Sequence, residues 1–377
     1  MNAPDDTLVL LRDAIRRYVE KEIAPKAHAW EEQGFVPREV LRDMGRMGFL
    51  GLRYAEEHGG GALDARATAL LAEELGRSTF SGFAITVLVH TDMASPHLVN
   101  AGTKEQIARY LPSIIAGEKI TAVAVTEPDA GSDVKSIRTS ARRDGSDWVL
   151  KGTKMFITNG ALADLYFVAA KTDPAAGSKG ISIFIVEKGM PGFSVGRKLE
   201  KMGWRSSDTA ELVFDGCRVP AENLLGEENR GFYAIMKNFQ NERMAIASMA
   251  MGEAAKALEL TLEYVKTRKA FGAPLWDKQA IRQRLSMLAA RVEAGRQLVA
   301  HTAALDAAGR DCVKEVSMAK AYCAELLNEV VYDCLQFHGG FGYIRESAIE
   351  RMYRDARVQT IGGGATEVML EEVAKRL

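Results

Sequence analysis

Two short stretches hold the side chains best suited to gripping a polar, flat ligand. The run Ala124-Val125-Thr126-Glu127-Pro128-Asp129-Ala130-Gly131-Ser132-Asp133 leaves an apolar segment and enters a loop of small hydroxyl and glycine residues. Glycine permits close approach of a ligand to the backbone, and the hydroxyls of Thr126 and Ser132 can bond ring carbonyls or phosphate oxygens. The same run also reads as an ordinary loop with a capping Ser or Asp. A second stretch, Lys154-Met155-Phe156-Ile157-Thr158-Asn159-Gly160, sets an aromatic and a hydroxyl two residues apart. On a strand that spacing puts both on one face, where Phe156 can cover a flat heteroaromatic ring and Thr158 can donate to a ring nitrogen. A half-buried hairpin strand accounts for this stretch equally well.

The elements that must carry these residues follow from hydrophobic periodicity. From Thr7 to about Gly117 apolar residues recur at three- and four-residue steps, as in Leu8, Leu11, Ile15, Tyr18, Val19 and Ile23, the stripe of an amphipathic helix. Turn chemistry at Pro37 and at His58-Gly59-Gly60-Gly61 interrupts them, and Thr103 with Glu105 ahead of an apolar run marks a helix start. Between Lys119 and Gly226 the pattern changes to short β-rich runs at 120–125, 148–150, 165–170, 181–186 and 212–214. Asp144-Gly145, Asn159-Gly160 and Gly189-Met190-Pro191-Gly192 supply turns between them, which favours antiparallel hairpins and leaves no room for the helices of a parallel βαβ sheet. From Asn229 onward long helical stretches return, at 247–268, 277–308 and 313–335. The expectation is an α+β chain: an N-terminal α-helical domain at 1–118, a small antiparallel β-sheet or barrel domain at 119–226, and a C-terminal four-helix bundle at 227–377.

Composition removes several function classes. Lysine and arginine total 49 against 50 acidic residues, with no charge run of the kind that binds nucleic acid. No window approaches the roughly 18 to 20 uninterrupted apolar residues that cross a bilayer, so no membrane insertion is expected. Residues 1–23 carry acids ahead of the apolar positions and lack the pattern of a secretion signal, which points to a cytoplasmic protein. Cys217, Cys312, Cys323 and Cys334 are scattered without CxxC spacing, and His90, His97 and His338 lack ligand spacing, so no metal site or disulfide framework is expected. The fifteen methionines, Met236, Met244, Met249 and Met251 among them, fit a core at helical spacing better than an acyl channel.

Taken in order, the two stretches above together with Arg268-Lys269-Ala270-Phe271-Gly272, Gln336-Phe337-His338-Gly339-Gly340 and Asp355-Ala356-Arg357 closely resemble the acyl-CoA dehydrogenase family across essentially the whole chain. Five separated segments in one order are far more specific than any single glycine motif. The resemblance implies FAD held noncovalently between the middle and last domains. Thr126 and Ser132 would contact the flavin and the thioester end of the substrate. Phe156 and Thr158 would contact the flavin, and Arg268 would reach the FAD pyrophosphate of a neighbouring subunit. Phe271, Gln279, Gln336, Gly339 and Gly340 would line the same cofactor site. A helix C-terminal cation is the alternative reading of Arg268. The family also implies a homotetramer, a dimer of dimers, and an electron-transferring flavoprotein as electron acceptor.

Many family members place a catalytic glutamate immediately before a Gly-Thr pair near the C-terminus. Here the matching run is Ile361-Gly362-Gly363-Gly364-Ala365-Thr366-Glu367, so Gly363 stands where that glutamate would be. A minority of the family, the isovaleryl and long-chain types, takes its base from a Glu-Arg pair on a bundle helix, which Asn241-Glu242-Arg243 matches. The resemblance therefore assigns the base to Glu242, with the Gly363 N–H helping to polarise the thioester carbonyl and Ser132, Arg243 and Gly364 on the substrate side. A surface carboxylate paired with a nearby cation is the plain alternative for Glu242. Thr366, with the displaced hydroxyl, and Glu367 fall to the cofactor side, Glu367 also as a cap for a helix beginning near Thr366. The implied reaction is α,β-dehydrogenation of a medium to long or branched acyl-CoA to the trans-2-enoyl-CoA. The helices around Thr91 to Asn100 would form the floor of the acyl cavity. A carrier-protein-bound acyl substrate and a noncatalytic FAD-binding scaffold are the competing functions.

Overall fold

The computed structural model describes residues 5–377; the part of the leader-peptide reading that rests on residues 1–4 lies outside them. Seven α-helices come first: α1 (Asp5–Tyr18), α2 (Ala24–Gln33), α3 (Arg38–Arg46), α4 (Ala65–Gly76), α5 (Ser81–Leu88), α6 (Pro96–Ala101) and α7 (Lys104–Ile115). The apolar stripe behaves as its spacing demands, with Ile15, Tyr18, Val19 and Ile23 buried and Leu8 and Leu11 packed against them. Thr103 does begin α7, but its reciprocal partner is Gln106 rather than Glu105: the Thr103 hydroxyl accepts from the Gln106 N–H and Gln106 Oε1 accepts from the Thr103 N–H. The Gln106 amide then donates to the carbonyls of Glu222 and Leu224, tying this helix to the end of the following sheet.

Eight strands follow: β1 (Thr121–Ala124), β2 (Ser140–Asp144), β3 (Asp147–Thr158), β4 (Leu165–Lys171), β5 (Ile181–Glu187), β6 (Phe193–Lys198), β7 (Thr209–Val219) and β8 (Leu224–Leu225). They form one sheet in the order β6-β7-β3-β2-β4-β5-β8, with β1 against β4. Most pairings are antiparallel, including the β2–β3 hairpin closed at Asp144-Gly145, while β1 and β2 each meet β4 in parallel. Periodicity does not reveal β2 and β6, because SARRD and FSVGRK are mostly charged or small and largely exposed. A single apolar core runs from the N-terminal helices into this sheet, through Phe83, Leu88, Tyr166, Phe167 and Phe184.

The third part is built on three long helices, α8 (Gly231–Thr267), α9 (Gln279–Ala307) and α10 (Val313–His338), followed by α11 (Ala348–Ala356) and α12 (Thr366–Ala374); a small hairpin of β9 (Lys269–Ala270) and β10 (Ala273–Pro274) separates α8 from α9. A second core fills this bundle and takes in Ala65 and Ala69 of α4. Helix α8 crosses α4 at two glycines that need their missing side chains: a Cβ on Gly252 would lie 1.9 Å from the Glu73 carbonyl, and one on Gly76 2.4 Å from the Met249 carbonyl. That close crossing fixes α8 against the N-terminal domain, and α8 carries Glu242.

Candidate active site

Glu242 sits half-buried in the N-terminal half of α8, and Gly363 lies in the turn ahead of α12. The fold brings them together: a Cβ built on Gly363 would stand 3.4 Å from Glu242 Oε1 and only 2.2 Å from Ile246 Cδ1. A side chain at position 363 would have to push aside the tip of Ile246, and the carboxylate from α8 already lies beside it. Both Gly363 (φ 63°) and Gly364 (φ 99°) use left-handed backbone that glycine adopts without strain. The Gly363 N–H meets no backbone carbonyl among the described residues, which leaves it free to donate.

The charges around this point are sparsely bonded. Burial pushes the Glu242 carboxyl up to about 7, against the opposing pull of Arg243 and Lys320. Glu242 makes no hydrogen bond or ion pair with another described residue, and the buried Arg243 Nε has no acceptor, although its guanidinium lies 5.7 Å from the centre of the Phe239 ring. Lys320 of α10 is fully buried and donates to the Gly364 carbonyl. Sequence reasoning missed Lys320; its one signal was a lone lysine in the apolar run Met318-Ala319-Lys320-Ala321.

The two ligand-gripping stretches also meet. The Met155 N–H donates to the Thr126 carbonyl (2.9 Å), so the loop after β1 is stitched to β3. Beneath that stitch lies a buried ion pair that the motifs did not reveal: Lys154 Nζ is 2.7 Å from Glu127 Oε1 and 2.8 Å from the Val125 carbonyl. Glu127 accepts further from the N–H groups of Arg138 (2.6 Å) and Thr139 (2.9 Å). Lys154 shares the inward phase of Trp148 and Leu150 on β3, the pattern that exposes such a lysine as buried.

Strand alternation does not explain Phe156 and Thr158. The pairing of β3 with β7 slips between Lys154 and Ile157, and Phe156 takes a left-handed φ of 60°. The irregularity turns Phe156 outward, 65% exposed, and leaves Thr158 half-buried. Neither the Thr126 nor the Thr158 hydroxyl bonds to a described residue; Ser132 is exposed, and a Cβ on Gly131 would meet nothing within 4 Å. An outward aromatic ring beside two free hydroxyls fits the flavin ring of FAD.

The remaining cofactor candidates gather elsewhere. Arg268 ends α8, Phe271 tips the β9–β10 hairpin at 97% exposure, Gln279 begins α9, and Gln336, Gly339 and Gly340 lie where α10 ends, all exposed. The Leu275 N–H donates to the Arg268 carbonyl, and the Tyr264 hydroxyl to the His338 carbonyl, drawing these ends together. Arg268 pairs with no carboxylate among the described residues, so its guanidinium is free for a pyrophosphate. Along α8, about 26 residue steps of roughly 1.5 Å put this group about 39 Å from Glu242. Thr366 opens α12 with its hydroxyl on Glu325 (2.7 Å), which an anion would have to displace. Glu367 lies exposed in the first turn of α12, where its charge suits the helix dipole; the residue at the cap is Ala365, with no side-chain bond.

A cavity of about 230 Å³ lies against Thr91, Asp92, Pro96 and Asn100, where the floor of an acyl pocket was expected. Its wall is largely polar, with Arg53, Asn238 and Asn241 contributing and Arg53 bonded to Asn241 (2.8 Å) and Asp306 (2.8 Å). No group of His, Cys, Asp and Glu able to hold a metal occurs among the described residues, and no helix there is long and apolar enough to cross a membrane.

Comparison with known proteins identifies the family. The family model for the acyl-CoA dehydrogenase N-terminal domain matches residues 5–118, that for the middle domain residues 122–217, and that for the C-terminal domain residues 229–377. The mouse long-chain specific acyl-CoA dehydrogenase, mitochondrial, is 44% identical over 370 residues, 98% of this chain and 86% of its own. The Pongo abelii isovaleryl-CoA dehydrogenase, mitochondrial, is 37% identical over 362 residues, 95% and 85% of the two chains. The crystal structure of an acyl-CoA dehydrogenase from Geobacillus kaustophilus superposes with a TM-score of 0.96 at 41% identity, covering 99% of this chain and 98% of that one. The chain therefore belongs to the acyl-CoA dehydrogenase family, whose members are FAD-dependent oxidoreductases.

Proposed function

We propose that the protein converts a medium to long or branched acyl-CoA to its trans-2-enoyl-CoA, with Glu242 as the base that removes the α-proton. The observation that carries this reading is the carboxylate of Glu242 beside Gly363, whose left-handed backbone favours a residue with no side chain of its own. Glu242 takes the proton from the carbon next to the thioester carbonyl, breaking that C–H bond as the double bond forms. The Gly363 N–H donates to the carbonyl oxygen, where negative charge develops. FAD, when bound, accepts the β-hydrogen with its electron pair. Thr126, Phe156 and Thr158 would hold the flavin ring, and Ser132, Arg243 and Gly364 would orient the thioester. Burial gives Glu242 a proton affinity near working pH, which suits a base acting on a weak carbon acid.

The distance along α8 supports the rest of the assignment. A group about 39 Å from the base serves a cofactor bound elsewhere, so Arg268, Phe271, Gln279, Gln336, Gly339 and Gly340 are assigned to the FAD of a neighbouring subunit in a homotetramer. Thr366 and Glu367, three and four residues after Gly363, are assigned instead to the FAD beside Glu242. An electron-transferring flavoprotein is the proposed acceptor, and four buried free cysteines suit a reducing, cytoplasmic setting. Anaerobic addition of acyl-CoA tests the core of this reading: the wild type should bleach its flavin and E242Q should not. A requirement for a carrier-loaded acyl group would redirect the substrate assignment, and an unreduced flavin with both would mark a scaffold.

A further inference from the structure

Lys320 presents a problem that the family's chemistry, as read above, does not use. It lies on α10 with no exposed surface, flanked by the buried residues Ala319, Ala321 and Cys323. An ammonium group is costly to desolvate unless paired, and a buried lysine could be replaced by an apolar side chain of similar length without harm to packing. Yet Lys320 forms no ion pair within 4.0 Å of a described carboxylate. Of its three donors, the one with a partner goes to the Gly364 carbonyl, next to the turn whose Gly363 faces Glu242 Oε1.

We propose that Lys320 is a positioning residue for the reaction: from α10 it anchors the Gly363–Gly364 turn beneath the Glu242 carboxylate and lends that carboxylate a fixed positive charge. This rests on the reading of Glu242 as the base. The turn needs such an anchor because two successive left-handed glycines have no side chains with which to hold their own position. The Gly363 N–H can polarise a carbonyl only if its direction is held, and the bond to the Gly364 carbonyl, two peptide planes further on, restrains the turn that carries it. The charge has a second effect. Burial raises Glu242, and the cations of Arg243 and Lys320 oppose the rise, so that the carboxylate stays available near neutral pH. Burial also lowers Lys320, to about 8, against the upward pull of Glu242. The other charged groups facing the trio are Glu325 and Glu367 toward Lys320, and Glu372 and Arg376 toward Arg243.

Four holoenzyme variants separate anchoring from charge. K320R keeps the charge, K320Q keeps a donor without the charge, K320M keeps neither, and E242Q identifies the base. FAD content and thermal midpoint report the fold. The pH midpoint of Glu242 is read twice, from the acid limb of kcat and from the carboxyl C=O infrared band that E242Q removes. In K320M and K320Q both midpoints should rise by about one unit, a roughly tenfold change in the ionised fraction at a given pH. K320R should return them to the wild-type value, and K320M should lose more kcat than K320Q because it also frees the turn. If E242Q is inactive while K320Q and K320M titrate as wild type, Lys320 is a packing residue and the proposal is overturned. If K320M fails to fold, K320Q decides the matter alone. Normal turnover by E242Q would instead remove the base reading, while an unmoved infrared midpoint of Glu242 in K320Q would overturn the role of Lys320 by itself.

Discussion

Two glutamates in this molecule each lie beside a buried lysine, and they are treated in opposite ways. Glu127 accepts from two backbone N–H groups and from Lys154. Burial alone would push its carboxyl up, but the charge and hydrogen bonds of Lys154 outweigh that and leave it below the usual carboxylate range. Glu242 has no such partners, and burial prevails over its neighbouring cations, raising it to about 7. The same two residue types thus make a frame in one place and, in the proposed reading, a base in the other. What distinguishes them is how completely the carboxylate is bonded: a fully bonded one is stable and inert, and an underbonded one keeps its affinity for a proton.

The contrast is broken most decisively by paired substitutions to glutamine. E242Q should lower kcat by roughly 10²- to 10⁴-fold with FAD content unchanged, the range for loss of a general base. E127Q should leave the base intact and show itself as weaker FAD retention and lower stability. Equal losses of kcat at normal cofactor occupancy would erase the distinction. Next in size is K154M, which strands a buried carboxylate and should cost about 3 to 5 kcal/mol in denaturant unfolding, with the E127Q/K154M double variant recovering part of the loss. G363A is smaller: its methyl would fall 2.2 Å from Ile246 Cδ1 at a left-handed φ, so a loss of about 1 to 3 kcal/mol is expected, partly relieved by I246A.

A further test sharpens the comparison through pH. Glu242 is raised above its unfolded value, so its contribution to stability is fully present below about 4.5 and is lost as pH rises through about 7. Glu127 is lowered, so its contribution is present above the unfolded value and is lost as pH falls through its folded value. Thermal midpoints measured from pH 4 to 8 should therefore decline less toward neutrality in E242Q, where the buried Asp92, Glu253 and Asp355 still titrate, and decline less on the acid side in the E127Q/K154M pair.

Much of the frame was legible because it rests on local spacing. Three- and four-residue steps gave the helical ends, short β-rich runs gave five of the strands, and Asp144-Gly145 gave a hairpin. What stayed hidden depends on which elements meet. Helix α8 begins at Gly231, well before Ala247, because packing on the sheet and N-terminal domain holds a stretch whose polar residues obscure its period. The outward turn of Phe156 depends on a slip against β7, and the parallel contacts of β4 join segments far apart in sequence. At the candidate site, the family resemblance singled out Glu242 and Gly363 as a complementary pair, but only the fold puts them side by side. Lys154 and Lys320 were missed because a lysine in sequence reads as solvent-facing until the burial of its neighbours is known.

The space that Ile246 takes above Gly363 also bears on how such enzymes can diverge. A lineage moving the carboxylate from the helix to the C-terminal turn would have to shrink residue 246, fill position 363 and vacate position 242. Made in that order, the changes keep a carboxylate at this point throughout, because the smaller residue 246 opens the space beside Gly363 before Glu242 is given up.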